Sequence, residues 1–175
     1  MSSKKDLGKL KVKFKNNPIM QNSNNITGVT GEYYVCAELG YRGILAIPTP
    51  KNNPLFDLLA TDLSANQIIA VQVKTMSKGN KQGWRLNKDI CLRKNNPNLY
   101  VILVNLLEEG KCDYYIYPYD TLSEKVEKTY SNYIKTPKRD GTQRKEVDFR
   151  WFNHNDFDES DLNRKNNWSL LPFNF

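Results

Sequence analysis

Phe56-Asp57-Leu58-Leu59 and Val71-Gln72-Val73-Lys74-Thr75 decide the reading of this chain, because each sets polar groups inside an apolar, strand-like run. An unpaired carboxylate or ammonium in such a place is costly to bury, so it calls for a partner or a ligand. The two runs, 55–61 and 67–75, are joined by the short polar connection Asp62-Leu63-Ser64-Ala65-Asn66, which predicts a β-hairpin. Strand side chains alternate in direction, so Gln72 and Lys74 share one face, about 7 Å apart along the backbone, while Val71, Val73 and Thr75 share the other. Asp57 falls beside Gln72 and Lys74 in one hairpin register, and the sequence leaves that register open.

Upstream, residues 27–40 place Val29, Tyr33, Cys36 and Gly40 at helical spacing, with Thr27 or Thr30 as N-cap. Glu32 sits at the edge of that stripe, whereas Glu38 reads as a surface acid. The plain alternative for Glu32 is an acid favoured by the helix dipole. Downstream, 99–107 is apolar enough for a central strand, and 113–118 predicts another strand closed by proline. A helix is expected over 120–134, capped by Asp120, with Leu122, Val126 and Tyr130 on one face. A basic loop at 135–145, an edge strand at 147–152, a terminal helix at 156–163 and an aromatic tail complete a mixed α/β domain.

Charge is unevenly distributed. The chain carries +7 overall, yet residues 1–27 hold +5 and residues 74–94 hold +6, leaving the remainder net acidic by four. Concentrated basicity suits a phosphate-backbone binder. The first of these segments reads as a basic arm of residues 1–27 preceding a single domain of residues 28–175. The second contains Lys78, Lys81, Trp84 and Arg85 in a glycine-containing stretch expected to grip nucleic acid, with Trp84 either stacking or packing.

Other chemistries find little support. Three widely spaced cysteines, Cys36, Cys91 and Cys112, do not suggest a disulfide framework and point to a reducing cytoplasm. The one histidine, His154, lies in Asn-His-Asn-Asp and reads as a surface residue, which disfavours zinc-finger, histidine-metal nuclease and Ser-His-Asp designs. The longest apolar run, 99–107, is about half a membrane span, and no membrane association is expected.

A Gly-Glu helix, then a strand with Asp, then a strand with Gln-x-Lys resembles the PD-(D/E)XK nuclease superfamily, of restriction-endonuclease-like fold, over about residues 28–118. The pattern is similar to the Mrr-like and Holliday-junction-resolvase-like branches, in which Gln can replace the second acid. The resemblance implies a central mixed sheet flanked by helices and a magnesium-dependent nuclease, with manganese as a substitute and DNA as the substrate. Asp57 then matches the metal-binding aspartate, Gln72 the second-acid position, where its side-chain oxygen is a neutral metal ligand, Lys74 the motif lysine and Glu32 the helix glutamate, with the Val73 backbone carbonyl as a further metal ligand. Phe56 stands where the family has proline, and Gln72 removes one ligand charge. Oxygen ligands of this kind suit a hard cation, and two carboxylates suit one ion better than two. The alternative is a catalytically inactive nuclease-fold module that binds nucleic acid or a protein partner. A homodimer is the expected assembly if both strands of a duplex are cut.

Overall fold

The computed structural model describes residues 23–50 and 53–175. Its frame is a five-stranded mixed sheet in the order β1-β2-β3-β5-β6, with a separate two-stranded ribbon, β4-β7. The strands are β1 (Leu45–Pro48), β2 (Leu58–Thr61), β3 (Ile68–Met76), β4 (Gly83–Asn87), β5 (Leu99–Leu106), β6 (Cys112–Pro118) and β7 (Phe149–Asn153). The helices are α1 (Ser23–Tyr41), α2 (Tyr119–Lys135) and the single turn α3 (Glu159–Leu162). Helices flank both faces of the sheet, as the sequence led us to expect. Among the described residues no helix is long and apolar enough to cross a membrane.

The hairpin forms because Asp62 organises its turn. Its carboxylate accepts from the Asn66 and Gln67 amides at 2.9 and 3.3 Å and from the Ser64 hydroxyl at 2.9 Å. That fixes an antiparallel register of Leu58 with Val71 and Leu59 with Ala70. On its other side β3 pairs in parallel with β5, whose Val101, Ile102, Leu103 and Val104 are all fully buried. A continuous apolar run is what a strand covered on both faces requires.

Two cores follow from the alternation of β3 and β5. One holds Ile69, Val71 and Val73 with Val35 and Leu39 of α1 and the tail residues Trp168, Leu171 and Phe173. The other holds Met76, Leu99, Val101 and Leu103 with Leu122 and Val126 of α2 and Trp84, Leu86 and Phe152 of the ribbon. Each fully buried aliphatic or aromatic side chain contributes roughly 1.5–3 kcal/mol over its exposed state.

Several expectations need correction. α1 begins at Ser23, inside the segment read as an arm, and the rest of that arm lies outside the described residues. Its buried face is Gly31, Val35 and Leu39, not Val29, Tyr33, Cys36 and Gly40; Tyr33 is exposed. The apparent stripe followed Tyr33, an amphipathic ring that tolerates water, and gave no weight to Gly31. Asp120 does not cap α2, since its carboxylate accepts instead from the Lys94 and Asn95 amides at 2.7 and 2.9 Å. The strand expected at 147–152 pairs with β4 rather than the main sheet, and the terminal helix shrinks to α3 behind its Asp158 capping box. His154 is half-buried, with its ring against Trp84, Tyr115 and Phe157 and its Nε2 without a hydrogen bond among the described residues.

Burial holds the His154 imidazole below its ordinary pKa of 6.5, against the pull of Asp113. The unfolded chain therefore binds the proton more readily, so this residue's contribution to stability is full above pH 6.5 and falls as pH drops through the folded value. The melting temperature is expected to fall less steeply with acidification below that pH in His154→Phe than in the wild type. Equal slopes would show that the ring titrates as it does in water.

At Gly31 α1 approaches Thr75 of β3 closely. A Cβ there would collide with the Thr75 hydroxyl and lie 2.9 Å from both the Cβ and the Cγ2 of Thr75. Gly→Ala in an exposed helix interior ordinarily gains up to about 1 kcal/mol. Here Gly31→Ala is expected to cost about 1–3 kcal/mol through overpacking. A denaturant midpoint that stays level or rises would refute this contact.

Candidate active site

Asp57 stands at the bend that leads into β2, and Thr49 pins it there. The Thr49 amide donates to the Asp57 carbonyl at 2.8 Å, and the Thr49 hydroxyl lies 3.0 Å from the Phe56 carbonyl and 3.1 Å from that of Asp57. The Asp57 amide in turn donates to the Val71 carbonyl at 2.9 Å. Past this point β2 has no backbone to offer β3, and the Asp57 side chain takes over: its Oδ2 accepts from the Val73 amide at 2.7 Å. The N–H and C=O of one strand residue point to the same side, so the Val73 carbonyl faces the same edge as the Asp57 carboxylate. Only one Asp57 oxygen is engaged by this bond, and Oδ1 accepts no hydrogen bond from a described residue.

Two separate cavities take up the candidate residues. Glu32 and Asp57 line one of about 390 Å³, together with Thr49, Asn53 and Gly28. Gln72 and Lys74 line the other, of about 520 Å³, with Phe56, Asn87, Asp89, Lys94, Asn96 and Tyr119. The register places Asp57 next to Gln72, and its bond to Val73 sets the carboxylate between Gln72 and Lys74 along the strand. The fold thus brings Glu32 to Asp57, and Asp57 to the edge of β3, while Gln72 and Lys74 turn into the neighbouring cavity. Lys74 is half-buried and makes no ion pair with any described residue.

The donor set is made of oxygens. Among the described residues no three His, Cys, Asp or Glu side chains gather at one point, and the acids lining the smaller cavity are Glu32 and Asp57. Two carboxylates with a main-chain carbonyl, the balance of the shell left to water and phosphate, fit one hard divalent cation and do not fit zinc.

The proposed nucleic-acid contacts are placed unevenly. Lys81 and Arg85 are exposed, and Lys78, also exposed, pairs with Glu108. Trp84 is 2% exposed, and its indole N–H donates to the Val104 carbonyl at 3.0 Å, so it packs and is not offered to a base. Within that stretch Trp84 and Arg85 belong to β4. Sequence reading missed Thr49, Asn87, Asn96 and Tyr119. The prolines on either side of Thr49 mark an irregular segment, but nothing in the sequence signals which carbonyls its hydroxyl meets.

No protein-family model and no curated protein matches the chain. Among solved structures it is similar to the bacterial homing endonuclease I-Ssp6803I, at 17% identity and a TM-score of 0.44, over 83% of this chain and 88% of that one. It is also similar to Hjc, a Holliday junction resolvase from Archaeoglobus fulgidus, at 13% identity and a TM-score of 0.42, over 74% of this chain and 86% of that one.

Proposed function

We propose that the chain is a metal-dependent nuclease of the PD-(D/E)XK type that hydrolyses phosphodiester bonds in DNA. The observation that carries this reading is the Asp57 carboxylate held on the Val73 amide, which joins a cavity containing Glu32 to a strand presenting Gln72 and Lys74. Asp57, Glu32 and the Val73 carbonyl would hold magnesium, with manganese able to replace it. When bound, such an ion supplies charge neutralisation at the phosphoryl group and a more acidic water.

The chain's own residues do the rest. Lys74, half-buried and without a carboxylate partner among the described residues, meets a phosphate oxygen or the attacking water and offsets charge that develops on the phosphoryl group. Gln72, an amide, adds no charge; beside Lys74 it donates to or accepts from the same water or phosphate and fixes its orientation. Thr49 positions Asp57 and touches no reacting atom.

Incubation with linear, supercoiled and branched DNA tests the reading. Cleavage is expected with magnesium or manganese and none with chelator. Binding without cleavage in any metal would instead favour the inactive binding module, which the neutral Gln72 keeps in view.

A further inference from the structure

The β4–β7 ribbon has two unlike faces. Trp84, Leu86, Arg150 and Phe152 face inward and are buried. The register pairs Arg85 with Trp151 and Asn87 with Phe149, so these four share the outward face, on which Arg85 and Asn87 are exposed and the two aromatics half-buried. The Arg85 guanidinium lies 4.2 Å from the centre of the Phe149 ring, and it forms no ion pair with a described residue. The ring contact positions the guanidinium, and its N–H groups make no hydrogen bond with a described residue. The Asn87 side-chain oxygen accepts from the Asp89 amide at 3.0 Å, which orients its NH2 group and leaves those two donors without a partner among the described residues. Gly83 opens the ribbon at φ 147°, where a Cβ would lie 2.6 Å from the Asn153 Cα, so the tight pairing at this end requires glycine.

Charge and position indicate what this face meets. Residues 78–94 carry six cations and one acid, Asp89. Lys78, Lys88 and Arg93 are paired with Glu108, Asp148 and Glu124, whereas Lys81, Arg85 and Lys94 have no such partner among the described residues. Asn87 and Lys94 also line the cavity that contains Gln72 and Lys74, so the face runs into the candidate site.

We propose that the outward face of the β4–β7 ribbon enters a groove of duplex DNA, with Arg85 and Asn87 as donors to base edges and Trp151 as an apolar flank. A two-stranded ribbon fits the major groove, and an Arg fork matches the two acceptors of guanine there. This inference rests on the nuclease reading and assigns its recognition surface.

The test uses the full chain in chelator, so that nothing is cut, with mixed-sequence duplex and the matching single strand. Trp84 and Trp168 are buried, which leaves Trp151 as the solvent-reached member of the three tryptophans. Duplex is expected to quench tryptophan fluorescence, and Trp151→Phe to abolish the quench. Arg85→Ala is expected to weaken duplex binding about fivefold or more. Selection from a randomised duplex pool is expected to return a base preference with the wild type that Arg85→Ala/Asn87→Ala loses, since a phosphate contact would weaken all sequences alike. An unchanged preference, a quench that survives Trp151→Phe, or binding confined to single strands would overturn the ribbon proposal while leaving the nuclease reading intact. No DNA binding by the wild type would overturn both.

Discussion

Asp57→Asn is expected to lower metal-dependent DNA cleavage by at least about 100-fold while leaving the folded protein close to wild-type stability. The amide oxygen of asparagine can still accept from the Val73 amide, the bond that Asp57 Oδ2 makes at 2.7 Å, so the end of β2 stays closed. What disappears is one of the two carboxylates that line the cavity shared by Glu32 and Asp57. Asp57→Ala differs instructively, because it also leaves the Val73 amide without its acceptor and is expected to cost a further 1–3 kcal/mol or so of stability. Parallel purification, cleavage assays and thermal melts of the two variants separate these effects. Equal activity in Asp57→Asn and wild type would remove Asp57 from the site.

Lys74→Met should be nearly as damaging to cleavage, roughly 100-fold or more, with little change in stability. Lys74 makes no ion pair with a described residue, and methionine keeps the apolar stem that lies against the cavity wall. A structural lysine would show the reverse pattern, with lost stability and retained turnover. Because Lys74 holds no ion in this scheme, metal binding is expected to be unchanged in Lys74→Met. Calorimetry with manganese checks that, and a loss of binding there would place Lys74 in a different role.

The hairpin was the most legible part of the fold. Its polar turn, its alternation and the apolar run that follows correspond to β2, β3 and β5 within a few residues, because burial on both faces imposes a strong compositional signal. α1 was readable as a helix but not in its orientation. Gly31 faces the sheet for what it lacks, a Cβ that Thr75 would meet, and a hydrophobic count gives glycine no such weight. The ribbon was hidden for a different reason. Gly83–Asn87 and Phe149–Asn153 are more than sixty residues apart, and neither stretch shows which strand completes it. Trp84 illustrates the consequence: next to lysines in sequence, it is buried in space because its partners Tyr115, His154 and Phe157 come from well beyond it in the chain.

The candidate site was legible in its residue types and less so in its arrangement. Asp57, Gln72 and Lys74 stood out as polar groups in apolar strands, yet strand alternation put only Gln72 and Lys74 on one face and left open whether Asp57 joins them. The bend at Asp57 changes that, since Thr49 holds the main chain there and the carboxylate turns to the β3 edge and shares a cavity with Glu32. Bends depend on tertiary hydrogen bonds, which periodicity does not encode.

The central claim is that Glu32 and Asp57 hold one divalent cation. Titration of manganese into the full chain, with the free ion followed by electron paramagnetic resonance, tests it most directly. The expected result is one ion per chain in the wild type, displaced by magnesium and lost in Asp57→Asn. Binding that is identical in the wild type and Asp57→Asn, or absent from the wild type both alone and with uncleaved DNA, would contradict it.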